Sequence, residues 1–216
     1  MKKAIVKTKL SSRYDLISTL GEIDYVFEAP YWQHDRIFVP KNYDRTQSKP
    51  RLSLRTVVRQ DNETIYAIVM RQHFAKTGLD VIHRTVVNDY TEAAHIIYGL
   101  GYELKAEISR RREELQMGET VRLYIDKIDN LDGYYLKIET LLDDDESPLE
   151  ARQDLIETFG VLGLKDALPI DMTYGEMIES PSHDIEDIPS VEAVEGEVLD
   201  AESSADSDDG HLKIRR

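Results

Sequence analysis

Basic side chains recur at every second position in several β-prone stretches of this 216-residue chain. In Ile108–Glu139, which reads ISRRREELQMGETVRLYIDKIDNLDGYYLKIE, three strands are expected around Ile108–Gln116, Val121–Asp126 and Tyr134–Glu139. Gly118 marks the first turn; Asn130, Asp132 and Gly133 mark the second. Alternation puts Arg110 and Arg112 on one face, groups Arg122, Tyr124 and Asp126 on another, and pairs Lys137 with Glu139. Charge on both faces of neighbouring strands suits a sheet curved around a polar interior. Elsewhere, Lys7, Lys9, Arg55, Arg71 and Arg84 hold comparable positions in other expected strands. Seven cations converging on one cavity repel one another unless an anion of high charge sits among them. Arginine suits phosphate through its bidentate fork, and a triphosphate carries about the right charge. The competing reading places many of these side chains on a solvated outer face.

The elements that position them follow from periodicity and caps. Lys3–Leu10 alternates lysine with apolar residues and reads as a strand. Ser11–Leu20 reads as a helix with Ser12 and Asp15 at its start and Gly21 as its stop. Ile23–Phe27 and Gln33–Val39 are expected strands, and a polar loop, Pro40–Pro50, follows. Arg51–Gln60 and Thr64–Phe74 form a hairpin candidate around Asp61-Asn62, with Leu79–Asn88 as a further strand. Asp89 and Glu92 box the start of a helix to Leu100, closed by Gly101. Ser147, Pro148 and Glu150 start a third helix that carries Ile156 and Phe159 inward and stops at Gly160. The expected class is therefore α+β: an eight-stranded antiparallel β-barrel with flanking helices and a polar interior.

Composition narrows the function. The net charge of −15 is concentrated, since residues 176–209 hold 13 Asp or Glu and no Lys or Arg. Two parts are expected: a folded domain over 1–178 and an acidic disordered tail over 179–216. No cysteine is present, so disulfides and thiolate metal sites are excluded, and a cytoplasmic setting is expected. MKKAIVKTKL lacks the apolar core of a signal peptide, and no run reaches ~18 apolar residues, so no membrane partner is expected. The Arg110–Arg112 triplet is followed at once by Glu113 and Glu114 in a near-neutral body, which argues against nucleic acid. The histidines show no HxH or HExxH spacing, and neither GxxxxGK[ST] nor GxSxG occurs. Nothing in the sequence speaks to oligomeric state.

Order and residues together resemble the CYTH superfamily of triphosphate tunnel proteins, which includes class IV adenylate cyclases, thiamine triphosphatases and inorganic triphosphatases. The resemblance runs over roughly Lys3–Ile178. Leu52-Ser53-Leu54-Arg55 is similar to the family's L-R-x-R strand and Ile68-Val69-Met70-Arg71 to its T-x-K strand. Leu100-Gly101-Tyr102 and Arg110-Arg111-Arg112 are similar to its L-G-F and K-x-R pieces. Ile125-Asp126-Lys127-Ile128, Gly133–Glu139 and Met172-Thr173-Tyr174-Gly175-Glu176 resemble L-D-x-V, G-x-F-x-E-x-E and S-Y-x-x-L. The resemblance implies that Lys7 (or Lys9), Arg55, Arg71, Arg110 and Arg112 bind phosphates. It also implies that Asp126 and Glu139 serve catalysis by holding Mg²⁺ or Mn²⁺ or positioning water.

The departures from the family pattern point the other way. In place of E-x-E-x-K stand Lys3, Ile5 and Lys7, or Ile5, Lys7 and Lys9 in the alternative register. Asp80, Ile82 and Arg84 replace R-x-E-x-E, Ser53 replaces the first arginine of L-R-x-R, and Lys137 replaces the first glutamate of the last strand. Such a lumen attracts anions and repels metal. The expected function is capture of a nucleotide, inorganic triphosphate or polyphosphate with catalysis weakened or lost and with no cofactor. The alternatives are an active metal-dependent triphosphatase or cyclase, and a vestigial tunnel that acts through its surface.

Overall fold

The computed structural model describes residues 1–22, 24–44, 49–74, 76–77 and 79–179. The strands are β1 (Lys2–Leu10), β2 (Tyr31–Pro40), β3 (Arg51–Val58), β4 (Thr64–Phe74), β5 (Leu79–Val87), β6 (Tyr102–Met117), β7 (Val121–Ile128) and β8 (Tyr134–Leu142). They close into one barrel in the order β1-β5-β4-β3-β2-β6-β7-β8, and every pair is antiparallel. The expected eight-stranded barrel is thus the observed fold. The helices are α1 (Arg13–Gly21), α2 (Tyr90–Gly99), α3 (Pro148–Val161) and α4 (Tyr174–Glu179).

Alternation explains why the apolar core lies outside the barrel wall. In β8, Leu136 and Ile138 are fully buried against a cluster containing Leu16 and Leu20 of α1 and Leu155 and Phe159 of α3. The intervening Lys137 and Glu139 point the opposite way, into the barrel. Ala4, Val6 and Leu10 of β1 and Leu123 and Ile125 of β7 join the same outer cluster. Each fully buried leucine there contributes about 1.5–3 kcal/mol. On the far side, Phe38 of β2 and Leu54 of β3 pack against Ala93, Ala94 and Ile97 of α2. A third cluster of Ile108, Ile128, Tyr135 and Tyr174 brings α4 and residues 168–178 against one end of the barrel. Thr8 Oγ1 donates to the Leu168 carbonyl at 2.8 Å, and the Ile170 amide donates to the Lys7 carbonyl at 2.8 Å, tying that segment to β1.

The caps form where the sequence places them. Ser12, Asp89 and Ser147 accept from the amides of Asp15, Glu92 and Glu150 respectively. Three expectations change. Gly21 does not stop the first helix but is its last residue, with Glu22 as the cap. Ile23–Phe27 is not a strand among the described residues (Ile23 itself lies outside them); the chain after it runs toward the mouth of the barrel, where the Glu28 amide donates to the Glu114 carbonyl at 2.7 Å. Gly160 does not stop the third helix, which runs to Val161; the left-handed residue is Gly163, φ 74°, where only the absence of Cβ makes the turn cheap. The acidic segment beyond Glu179 lies outside the described residues.

Candidate functional site

The barrel interior is a two-layer array of ion pairs. In one layer Asp35 of β2, 3 % exposed, accepts from Arg55 Nε at 2.6 Å, from Gln33 Nε2 at 2.7 Å and from Arg110. Register accounts for this, since β2 sets Asp35 opposite Arg55 of β3 and Gln33 opposite Arg110 of β6. Beside it, Arg112 donates Nε and Nη2 to Asp126 at 2.6 and 2.7 Å, a bidentate pair between directly opposed residues of β6 and β7. Tyr174 of α4 donates its hydroxyl to the same carboxylate at 3.1 Å, and Arg110 lies 3.8 Å from it.

The second layer holds Lys3, Arg71, Asp80, Lys137 and Glu139. Arg71 donates twice to Asp80, at 2.6 and 2.7 Å. Glu139 accepts from Lys137 at 2.5 Å, from the Tyr124 hydroxyl at 3.1 Å and from Lys3. The Tyr124 ring joins the layers, with the Arg112 guanidinium 4.4 Å and the Lys137 ammonium 4.7 Å from its centroid.

Burial would raise all four carboxyls, but their cation partners overcome it. Asp35 is held far below the usual carboxylate range by Arg55 and Arg110, Asp80 by Arg71, and Glu139 by Lys137 and Lys3, while Arg112 lowers Asp126. Lys137 moves the other way. Burial, reinforced by Arg112 and Arg71, outweighs Glu139 and lowers its ammonium to about 8. Tyr124 and Tyr174 are pushed well above the ordinary phenol value by burial and by Glu139 and Asp126 respectively, so both remain hydrogen-bond donors at neutral pH.

The interior opens at the end away from α4 into a cavity of about 710 Å³. Arg55, Arg84, Arg112, Arg122, Tyr31 and Tyr124 are among its lining residues. Of the residues marked from sequence, Arg55, Arg71, Arg110, Arg112, Asp126 and Glu139 converge in the interior. Lys7 shares their side of β1, opposite Lys137, and its ammonium donates to the Ile170 carbonyl at 2.8 Å. Arg84 is exposed and stands at the mouth. Lys9 does not converge with them: it is exposed near the barrel end, its stem running past Gly133.

Two central groups escaped the reading of the sequence. Asp35 organises three partners, and polar Gln33 and Asp35 at alternate positions of a strand with Ile37 beyond them were the available signal. Lys3 was seen as a lost glutamate, whereas it is a second cation on Glu139.

The donor set does not fit a divalent ion held by Asp126 and Glu139 together. Asp126 stands opposite Tyr135 and Glu139 opposite Arg122, so the two lie four positions apart, roughly 13 Å along the strands. Both carboxylates are already occupied by cations. Among the described residues, no three His, Asp or Glu gather as metal ligands.

A closed antiparallel barrel with a basic interior and an apolar outer wall under helices defines a triphosphate tunnel fold. The chain belongs to the CYTH domain family, whose profile matches residues 1–174. Among solved structures it resembles the PH1819 protein of Pyrococcus horikoshii, with TM-score 0.70, 16% identity, and 83% of this chain and 99% of that one covered. A candidate adenylate cyclase from Vibrio parahaemolyticus follows with TM-score 0.67, 17% identity, and coverage of 82% and 97%. A candidate adenylyl cyclase from Hippeastrum, described as having a dominant triphosphatase activity, has TM-score 0.54, 11% identity, and coverage of 86% and 98%. No curated protein matches the chain in sequence. Among the described residues, no helix is long and apolar enough to cross a membrane.

Proposed function

We propose that this tunnel captures a triphosphate-bearing anion, a nucleotide or inorganic triphosphate or polyphosphate, without a divalent metal, and that turnover is weak or lost. The observation that carries this reading is the charge balance of the interior. Among the described residues, the six cations Lys3, Arg55, Arg71, Arg110, Arg112 and Lys137 pair with the four carboxylates Asp35, Asp80, Asp126 and Glu139. The surplus positive charge is buried in a low-dielectric wall, where an entering polyphosphate gains most. Lys3 and Lys137 clamp Glu139 as a pair of tethered ammoniums, which supply positive charge without a bound ion. Arg55, Arg71, Arg110 and Arg112 each hold a carboxylate in the free protein, and a phosphate replaces or shares that partner with the same bidentate geometry.

The test is calorimetric titration of tripolyphosphate and of ATP in Mg²⁺, in Mn²⁺ and in EDTA, with the mixtures assayed for phosphate, pyrophosphate and cyclic nucleotide. Binding in EDTA with no product is the expected result. Product that appears only with metal would overturn it. That second reading, an active triphosphatase or cyclase, draws support from retention of Asp126 and Glu139 and from the fold shared with the Hippeastrum protein.

A further inference from the structure

On the outer wall the same strands build a second recess, away from the lumen. Register sets Trp32 of β2 opposite Arg111 of β6, and Arg111 opposite Lys127 of β7, so these three form one row across three strands. Neighbouring Cβ atoms in such a row lie about 5 Å apart. Each is one residue removed from an inward group (Tyr31, Arg112 and Asp126), which places the row on the opposite face of the sheet. Above it lies a cavity of about 350 Å³, walled also by Arg13, Glu113 and Tyr134. That volume is within the range of small-molecule sites, at its low end.

Charge and aromatic surface in this recess are left unused by the fold. Glu113 is fully engaged by Arg13, at 2.8 and 2.7 Å, which leaves Arg111 and Lys127 against Asp129 alone. Arg111 is exposed and makes no ion pair among the described residues. Lys127 makes no ion pair among the described residues; its ammonium donates to the Leu131 carbonyl at 3.3 Å and lies 5.7 Å from the Tyr134 ring centroid. Arg13 Nε is buried and has no acceptor among the described residues. Trp32 is 55% exposed on a strand whose other large apolar side chains are covered. An exposed indole beside two cations that share a single carboxylate suits a flat, apolar ring carrying an anionic group a few ångströms away.

The geometry points to a binding site for a phosphorylated nucleoside of mononucleotide size, with the base stacked on Trp32 and the phosphate between Arg111 and Lys127. The site is separate from the tunnel and independent of what the tunnel holds. Trp32 is the only tryptophan in the chain, so its emission reports on the recess directly.

The experiment is titration of AMP into the full chain in EDTA, following tryptophan fluorescence, with adenosine and inorganic phosphate as separate probes. AMP is expected to quench with saturation and to bind at least about ten-fold more tightly than either fragment, because stacking and the charge-assisted contact act together. The double variant Arg111→Glu, Lys127→Glu is expected to lose the AMP response while keeping the wild-type melting temperature and calorimetric uptake of tripolyphosphate. Unchanged emission on adding AMP, or quenching that survives in the double variant, would overturn the site. Adenosine binding as tightly as AMP would remove the phosphate contact and overturn the assignment of ligand class.

Discussion

Replacing Asp126 by Asn tests whether the interior carboxylates are counter-ions for a site built to hold anions. Asp126 is fully buried and takes two guanidinium bonds from Arg112, at 2.6 and 2.7 Å, with Arg110 at 3.8 Å and the Tyr174 hydroxyl at 3.1 Å. The amide keeps the shape and can still accept one bond, but it removes the charge that neutralises Arg112. Removing one partner of a buried pair costs about 3–5 kcal/mol, because a desolvated charge is left without compensation. A domain of this size loses about 2–4 °C of melting temperature per kcal/mol, so a fall of roughly 10 °C is expected in the ligand-free protein. A polyanion in the tunnel supplies the missing charge. Tripolyphosphate in EDTA should therefore raise the melting temperature of Asp126→Asn by more than it raises that of the wild type, since stabilisation grows with affinity for the folded state. Circular dichroism melts at fixed protein concentration, with and without the anion, measure both quantities. A fall under about 2 °C would show that Asp126 is not what balances Arg112. An equal gain in both proteins would show that the anion binds away from this pair.

Further outcomes are expected at Lys137, Asp89 and Gly133. Lys137 has its proton affinity lowered to about 8 from the ordinary 10.5, so between those values the unfolded chain binds more protons and stability rises with pH. Tripolyphosphate affinity moves oppositely, weakening as pH climbs through about 8, and Lys137→Arg should abolish that step in calorimetric titrations across pH 7–9.5. Asp89→Ala removes the cap on the Glu92 amide, a 2.9 Å bond, and should cost about 1 kcal/mol in urea unfolding while leaving anion binding intact. Gly133→Ala forces a side chain into φ 81° with its Cβ 3.1 Å from Lys9 Cε; a loss of about 1–2 kcal/mol by the same assay is expected, and a neutral result would mean the turn relaxes.

Much of the architecture was legible in the chain because strand alternation and helix caps are local. Val6, Leu136 and Ile138 alternate with Lys7, Lys137 and Glu139, and that pattern alone separates an apolar outer wall from a charged interior. The caps at Ser12, Asp89 and Ser147 are read within four residues of sequence, and the bonds they predict are present. Ile23–Phe27 misled because an apolar, β-prone run lacks any local mark of whether a partner strand is free to take it. Parity sets Arg55, Arg71, Arg110, Arg112, Asp126 and Glu139 opposite the apolar positions of their strands, and closure of the barrel makes that face the inner one.

Who touches whom could not be read that way. Pairing partners are set by register and barrel closure, which bring Asp35 to Arg55 and Arg110 across three strands and Lys3 to Glu139 across 136 positions of sequence. Only that closure shows that Asp126 and Glu139 lie too far apart along β7 and β8 to share an ion, and that each carboxylate is already claimed by cations. Alternation is a property of one strand, so sequence determines which face a residue takes. Distance between faces is a property of the closed sheet, so tertiary structure decides which charges meet.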